Sequence, residues 1–135
     1  MNLTSEQRAE LIRLAQAARQ RAYAPYSNYW VGAALLTASG KYYQGANIEN
    51  AAYPTCICAE RVAIFQAVFE GESDFAAIAV VTANGGTPCG SCRQVMAEFG
   101  LQTVVLIADA EGRLVQETTV KELLPGSFGP SDLKT

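Results

Sequence analysis

Apolar residues recur at the spacing of an α-helix in three parts of the chain. Before the first, Thr4 to Gln7 have the form of a capping box, in which an N-cap threonine pairs with a glutamine three residues later. Gly71 and Gly100 follow the second and third stretches, as expected where helices end. The predicted helices cover residues 5–21, 58–69 and 89–99, with a further short helix around residues 120–124.

Short apolar runs bounded by turn residues predict strands in the rest of the chain. The first two runs are separated by Ser39 and Gly40, a turn pair that favours a β-hairpin. Residues 47–55 are polar and irregular, and Pro54 stops any regular element there. The predicted strands cover residues 29–37, 41–46, 75–82, 103–108 and 114–117.

The predicted elements follow the order αββαβαββα, with strands and helices alternating through the middle of the chain. Such alternation predicts an α/β fold, a three-layer α/β/α sandwich around a mixed sheet of about five strands. The length of 135 residues suits one domain and is too short for two, so residues 1–135 are expected to form a single domain. The order of the strands within the sheet does not follow from the sequence.

Composition and charge narrow the possible functions. Half of the residues are hydrophobic and 17% are charged, below the usual charged share of about 25%, which predicts apolar surface covered by other subunits. The net charge is −3 without any cluster of Lys or Arg, which argues against nucleic acid as a partner. The chain has no histidine, which excludes Ser-His-Asp and Cys-His catalysis and zinc sites that need imidazole.

Cellular location affects the interpretation of the four cysteines, Cys56, Cys58, Cys89 and Cys92. The sequence has no long apolar span and its first ten residues are polar, so we expect neither a membrane segment nor a secretory signal, and a cytoplasmic protein. In a reducing compartment, cysteines are more often thiolate ligands or buried thiols than disulfides.

Three of the cysteines stand at predicted helix starts. Cys89 and Cys92 follow Pro88 at positions i and i+3, where two thiols share one helix face and can bind one metal ion. The same spacing occurs in thioredoxin-like redox pairs and in inert core cysteines. Cys58 begins the second helix together with Glu60, so two helix starts can bring three thiols to one ion.

Two kinds of zinc site are compatible with this pattern. One has three cysteine ligands and an open fourth position for water; the other is a closed structural site that also uses Cys56. Glu60 favours the open site, because a carboxyl two residues after Cys58 points away from the ligand face of a regular helix. It can flank a bound water if the first turn is irregular.

Three thiolates carry more negative charge than Zn²⁺ neutralises, so positive groups must compensate. The two helix N-termini contribute partial positive charge. Arg61 is expected to donate hydrogen bonds to the sulfurs, while Arg93 either does the same or forms an ordinary solvated or inter-subunit salt bridge.

The combination of Cys58-Ala59-Glu60 with Pro88-Cys89-x-x-Cys92 resembles the metal motif of the cytidine deaminase family, specifically its three-cysteine, homotetrameric branch. The similarity extends over most of the chain. The matching segments are Ala24–Ser27, Val31–Leu35, Gly45–Ala51, Cys58–Arg61, Pro88–Gln94 and Leu123–Phe128.

The resemblance implies a role for each matching residue. Zn²⁺ would be bound by Cys58, Cys89 and Cys92, and Glu60 would be the catalytic proton carrier. Asn47 and Glu49 would hydrogen-bond the ribose hydroxyl, with Tyr29, in place of the more usual phenylalanine, along the base. Ala51 and Tyr53 would line the ribose end of a neighbouring subunit's site, and Phe128 would stack on the pyrimidine from a neighbouring subunit. Ala59 is the remaining substrate-binding position. Cys56, a fourth thiol that many relatives lack, is predicted not to be a ligand.

The implied reaction is hydrolysis of the amino group at C4 of cytosine. Zn²⁺ would activate water, and Glu60 would take and return protons, with its pKa raised by the apolar neighbours Ile57, Ala59 and Phe128. Asn47 and Glu49 suit neutral hydroxyls, so free cytidine and deoxycytidine are predicted over their phosphates, with pyrimidine salvage as the role. Two alternatives remain: a deaminase of modified nucleosides such as blasticidin S, and a structural zinc-binding or thiol-redox module without turnover.

Overall fold

A computed structural model describes residues 2–133, so that Met1, Lys134 and Thr135 of the predicted domain lie outside it. The helices are α1 (Ser5–Arg19), α2 (Ala59–Phe69), α3 (Gly90–Phe99) and α4 (Val120–Leu123). The strands are β1 (Gly32–Thr37), β2 (Tyr42–Ala46), β3 (Phe75–Val81), β4 (Val104–Ala108) and β5 (Leu114–Thr119). Their order confirms the predicted αββαβαββα pattern. In the part of the chain described, each helix is too short or too polar to cross a bilayer.

Local chemistry explains where α1 begins. Thr4 Oγ1 accepts a hydrogen bond from the Gln7 N–H at 3.0 Å, and Gln7 Oε1 accepts one from the Thr4 N–H at 2.9 Å. The predicted capping box is therefore confirmed. These two bonds satisfy backbone donors that the first turn of a helix leaves without partners.

The structure corrects the bounds of several predicted elements. The first strand begins at Gly32 rather than at Tyr29, because the Val31 N–H is bonded to the side-chain oxygen of Asn47 and not to a neighbouring strand. The last strand extends to Thr119, where it still pairs with Val104. The 47–55 segment, predicted to be irregular, contains a 3₁₀ turn at Tyr53–Thr55, and a second 3₁₀ turn lies at Pro130–Leu133.

The sheet has the strand order β2-β1-β3-β4-β5 and is mixed, as predicted. β3 and β4 are parallel and joined through α3, and the other neighbours are antiparallel. Since β1 runs opposite to β3, its first residue, Gly32, pairs with Val81 at the end of β3. The loop before β1 and the loop after β3 therefore meet at one edge of the sheet, where open α/β sheets bind ligands.

Side chains alternate between the two faces of the sheet and build two cores. On one face, α1 packs Leu11 and Ala15 against Ala34, Leu36 and their neighbours. On the other face, α2 and α3 pack against the alternate positions of the same strands, which include Ala33, Leu35, Ile78 and Val105. This arrangement confirms the predicted α/β/α layers.

Each strand of the β1–β2 hairpin contains a glycine that lets a helix approach the strand backbone closely. A Cβ atom on Gly32 would lie 2.0 Å from the carbonyl oxygen of Ala15 in α1, and one on Gly45 would lie 2.3 Å from that of Ala59 in α2. Only glycine fits at such separations. The start of α2 is thereby held directly against β2.

Candidate active site

A cavity of about 570 Å³ opens at the carboxyl end of β3. Its wall includes Val80 and Thr82 from the end of that strand, residues from the loop before β1, and the starts of α2 and α3. The sheet thus places two loops and two helix N-termini around one space.

The thiols of Cys58, Cys89 and Cys92 come together at one side of this cavity, with their sulfur atoms within 4.8 Å of one another. Cys58 and Cys89 are the N-cap residues of α2 and α3, and Cys92 is buried in the first turn of α3. Their sulfurs are 3.7 Å apart in the Cys58–Cys89 pair. A tetrahedral zinc ion with Zn–S bonds of about 2.3 Å requires sulfurs about 3.8 Å apart, so the three thiols fit Zn²⁺.

Cys56 does not belong to this cluster in the described part of the chain. Its sulfur accepts a hydrogen bond from the Asn50 N–H at 3.2 Å and lies 3.6 Å from the Asn50 carbonyl oxygen, to which the thiol donates. Both contacts of the Cys56 thiol are therefore to Asn50 of the same loop, and not to the three-thiol cluster. The arrangement favours the open site of three cysteines over the closed site of four.

Arg61 supplies positive charge to the cluster. Its Nη2 donates to Cys58 Sγ at 3.3 Å, the contact expected from the sequence. Hydrogen bonding with the Cys92 thiol, followed by that with Arg61, lowers the pKa of Cys58 to about 5. The hydrogen bond with Cys58, followed by burial, raises the pKa of Cys92. Both hydrogen bonds to Cys58 thus favour its thiolate form, which is the form that binds a metal.

Arg93 is hydrogen-bonded to three oxygen atoms of its own chain. It donates to the carbonyl oxygens of Pro88 at 2.7 Å and Leu123 at 2.8 Å, and to Thr87 Oγ1 at 3.0 Å. Within the described chain, the side chain therefore makes neither the expected contact with a sulfur atom nor a salt bridge. A salt bridge to another subunit stays a prediction. Arg93 fastens the segment before Cys89 to the end of α4.

The Glu60 carboxyl lines the same cavity, although the residue is only 3% exposed. Burial raises its pKa to about 7, because an ionised carboxylate loses hydration there. A carboxyl with a pKa in this range can both accept and donate a proton near neutral pH. Of the apolar neighbours expected to cause the shift, Ile57 lines the cavity, whereas Phe128 is not in its wall.

Asn47 and Tyr29 form another part of the wall. The Asn47 amide accepts from the Val31 N–H and donates to the Tyr29 carbonyl, each at 2.9 Å. The Tyr29 hydroxyl donates to Asn84 Oδ1 at 2.8 Å. Asn47 therefore fixes the backbone before β1, and Asn84 fixes the side chain of Tyr29.

Glu49 lies beside them and is held by the loop before β1. Its Oε1 accepts from the N–H groups of Tyr26 and Ser27 at 3.0 and 3.1 Å, and its Oε2 accepts from the Ser27 hydroxyl. The hydrogen bond from that hydroxyl is the main cause that lowers the pKa of Glu49. The carboxylate is ionised and oriented before any ligand arrives.

The remaining predicted substrate residues are more scattered. Tyr53 lines this chain's own cavity and is 69% exposed. Ala51 and Phe128 are exposed outside its wall, and Phe128 is tied by its carbonyl oxygen to Gln94 Nε2 at 2.8 Å. Ala59 is fully buried in the core at the first turn of α2. The roles expected for these four residues stay predictions.

Several wall residues were not singled out from the sequence. Ser27, Thr82, Gly86 and Thr87 all line the cavity. Thr82 Oγ1 accepts from the Gly86 N–H at 2.8 Å, and a Cβ on Gly86 would lie 2.7 Å from the Tyr29 hydroxyl oxygen. The paired glycines after Asn84 were a signal of close approach, but the sequence does not tell which atom comes near.

Comparison with known proteins gives consistent matches. Residues 5–108 match the cytidine and deoxycytidylate deaminase zinc-binding region. A cytidine deaminase of Sporosarcina psychrophila is 49% identical over 92% of this chain and 93% of its own. One of Halalkalibacterium halodurans is 51% identical over 93% and 97%. A crystal structure of cytidine deaminase from Burkholderia pseudomallei has a TM-score of 0.85 at 48% identity, covering 93% of this chain and 99% of that chain.

Proposed function

Because the chain belongs to the cytidine and deoxycytidylate deaminase family, a family of zinc-dependent hydrolases, we propose that it deaminates cytidine and deoxycytidine. The products are uridine or deoxyuridine and ammonia, with water as the second substrate, and the role is pyrimidine salvage. The observation that carries the proposal is a buried carboxyl, Glu60, in the wall of the cavity that Cys58 and Cys89 of the three-thiol cluster also line.

Zn²⁺ is the cofactor, and Cys58, Cys89 and Cys92 are the residues that would hold it. When bound, the ion supplies a Lewis acid that lowers the pKa of water towards about 7. Arg61 offsets the excess negative charge of the thiolates through its contact with Cys58. The N-termini of α2 and α3 add partial positive charge on the same side.

Glu60 carries the protons. Its carboxylate takes one from the attacking water and delivers it to N3 of cytosine, which makes C4 electrophilic. Once the water oxygen has bonded to C4, Glu60 takes the second proton from that hydroxyl and passes it to the C4 amino group, so that the C4–N bond breaks, the C4=O bond forms and ammonia leaves. A pKa raised by burial suits a group that must alternate between acid and base.

Asn47 and Glu49 bind the sugar hydroxyls, and Tyr29 lies along the base. Among the described residues of the cavity wall, Arg61 is the single cationic side chain, and Cys58 already engages it. A phosphate group would have no free cation to pair with. Free nucleosides are therefore the substrates, and a comparison of cytidine with its 5′-monophosphate tests this, since equal kcat/KM would contradict it.

The active form is a homotetramer in which Ala51, Tyr53 and Phe128 complete the sites of neighbouring subunits. The exposed apolar side chains of α2 support an interface between subunits, with Phe65 48% and Phe69 92% exposed. Sedimentation equilibrium of the zinc-loaded protein tests the assembly: a mass of four chains is expected, and a monomer with full activity would contradict it.

We place the enzyme in the cytoplasm because its four cysteines are free, three of them in one cluster. Thiols this close remain reduced in a reducing compartment and are prone to oxidation elsewhere. Cell fractionation tests this location, and recovery of the protein in an oxidising compartment would contradict it.

The test of function is the loss of cytidine absorbance on mixing with the zinc-loaded protein, with ammonia measured in parallel. We expect turnover that a strong chelator abolishes and added Zn²⁺ restores. Zinc-loaded protein without turnover would instead identify a structural or thiol-redox module. If, in a substrate panel, the protein turned over blasticidin S but not cytidine, it would be a deaminase of modified nucleosides.

A further inference from the structure

The Ser27 hydroxyl connects two parts of the proposed substrate site. It donates to Glu49 Oε2 and accepts a hydrogen bond from the Tyr29 N–H at 3.0 Å. The carboxylate expected to meet the sugar and the residue expected to lie along the base are thus joined through one oxygen atom. Ser27 itself lines the cavity.

The loop conformation makes this double contact possible. Asn28, between Ser27 and Tyr29, has a φ of 56°, in the left-handed region that asparagine tolerates better than most residues. The turn at Asn28 directs the Tyr29 N–H back to the hydroxyl two residues earlier, a common contact of serine in turns.

Glu49 needs an external constraint because a carboxylate rotates freely about its last bond. The N–H groups of Tyr26 and Ser27 both reach Oε1, so neither of them holds Oε2. The Ser27 hydroxyl holds that second oxygen and thereby fixes the plane of the carboxylate. The direction of the remaining lone pairs, which a sugar hydroxyl would meet, is set as a result.

We propose that Ser27 is a positioning residue for the sugar. Its hydroxyl orients the Glu49 carboxylate towards the nucleoside hydroxyls and holds Tyr29 in a fixed position relative to that carboxylate. The inference rests on the proposed function. It deepens that function by assigning recognition of the sugar to a hydrogen-bonded pair rather than to Glu49 alone.

The substitution Ser27→Ala removes this orientation while leaving the zinc ligands and Glu60 intact. One lost hydrogen bond to a charged group corresponds to about tenfold weaker binding, so KM for cytidine should rise about tenfold with kcat little changed. Ser27→Thr keeps the hydroxyl and should restore most of the affinity.

A nucleoside without the 2′- and 3′-hydroxyls separates positioning from general damage. KM for cytidine and the inhibition constant of 2′,3′-dideoxycytidine against it would be measured for the zinc-loaded wild type, Ser27→Ala and Ser27→Thr. If Ser27 acts through the sugar, Ser27→Ala weakens cytidine but not the dideoxy compound, so the preference for cytidine falls about tenfold.

Ser39→Ala is the matched control. Ser39 also donates to a carboxylate, Glu72 Oε1 at 2.9 Å, but does so at the turn of the hairpin, outside the cavity wall. Loss of the Ser39 hydroxyl should leave the preference for cytidine over 2′,3′-dideoxycytidine unchanged. Should Ser27→Ala fail to fold, Ser27→Cys keeps the side-chain volume with only a weak donor, and its preference should fall in the same direction.

Equal weakening of both ligands by Ser27→Ala, or a preference as low in Ser27→Thr as in Ser27→Ala, would overturn the inference while the proposed function stands. Absence of cytidine turnover in the zinc-loaded wild type would instead overturn the proposed function itself. The two failures are therefore distinguishable in one series of measurements.

Discussion

The two faces of the sheet bury similar apolar cores, but their helices begin in different ways. On one face, α1 starts with a capping box in which Thr4 and Gln7 satisfy each other's backbone donors. On the other face, α2 and α3 start at Cys58 and Cys89, and neither thiol makes a side-chain capping hydrogen bond in the described chain.

The capped helix start contributes to stability, whereas the uncapped starts are available for chemistry. A capped helix start is complete in itself, whereas an uncapped one leaves N–H groups and a partial positive charge available to thiolates. Two such starts converge at the end of β3 and bring the three thiols within 4.8 Å of one another. The α1 face also buries an apolar core, but the three thiols lie on the other face.

The largest expected effect comes from the acid in the first turn of α2. Glu60→Gln should lower kcat by about 10²-fold to 10⁴-fold with zinc retained, since it removes the proton carrier and keeps the side-chain shape. Glu6→Gln, in the first turn of α1, is the matched control and should have no effect on turnover. Steady-state kinetics with metal analysis measures both, and an active Glu60→Gln enzyme would refute the role.

A smaller effect is expected from the cation beside the thiols. Arg61→Gln removes the donor to Cys58 Sγ and should weaken zinc binding by about 10-fold to 100-fold. Arg13→Gln, on the exposed side of α1, serves as the control because Arg13 pairs only with its neighbour Glu10 in the described chain. Competition with a chromophoric chelator gives the affinities, and equal values in the two variants would contradict the assignment.

Gly32 faces α1 and Gly45 faces α2, so the same substitution can be compared on the two faces of the sheet. Gly32→Ala and Gly45→Ala each push a methyl group into helix backbone and should each lower the free energy of unfolding by about 3 kcal/mol. Only Gly45→Ala displaces the start of α2, so only it should also weaken zinc binding.

Denaturation of the zinc-free proteins measures the change in the free energy of unfolding, and chelator competition measures the change in zinc affinity. If both glycine variants lost zinc affinity equally, the zinc site would depend on both faces of the sheet rather than on the α2 face alone.

The smallest effect is expected at the fourth cysteine. Cys56→Ser should change stability by less than about 0.5 kcal/mol and leave zinc content intact, because a hydroxyl can keep both contacts to Asn50. Metal analysis after dialysis measures the content. A variant that loses its zinc would place Cys56 among the ligands.

Local patterns were enough to predict much of the fold and part of the site. The capping box at Thr4, the glycine after each of α2 and α3, and the i, i+3 spacing of Cys89 and Cys92 are local, and the structure contains all of them. The order of the strands depends on contacts between distant segments, which no local pattern encodes.

The parts that the sequence did not reveal depend on backbone atoms of other segments. Arg93 bonds to carbonyl oxygens, one of them 30 residues away at Leu123, and any residue type would offer that acceptor. Ser27 reaches Glu49 across 22 residues because the sheet brings two loops together. The late start of β1 has a similar cause, since Asn47 replaces a strand as the partner of Val31.

The account depends on a metal ion held by three thiols with one position left for water. X-ray absorption at the zinc edge of the zinc-loaded wild-type protein measures the ligands directly. We expect three sulfur scatterers at about 2.3 Å and one oxygen scatterer near 2.0 Å. Four sulfur scatterers and no lighter ligand would contradict the account, because no position would remain for the water that the reaction consumes.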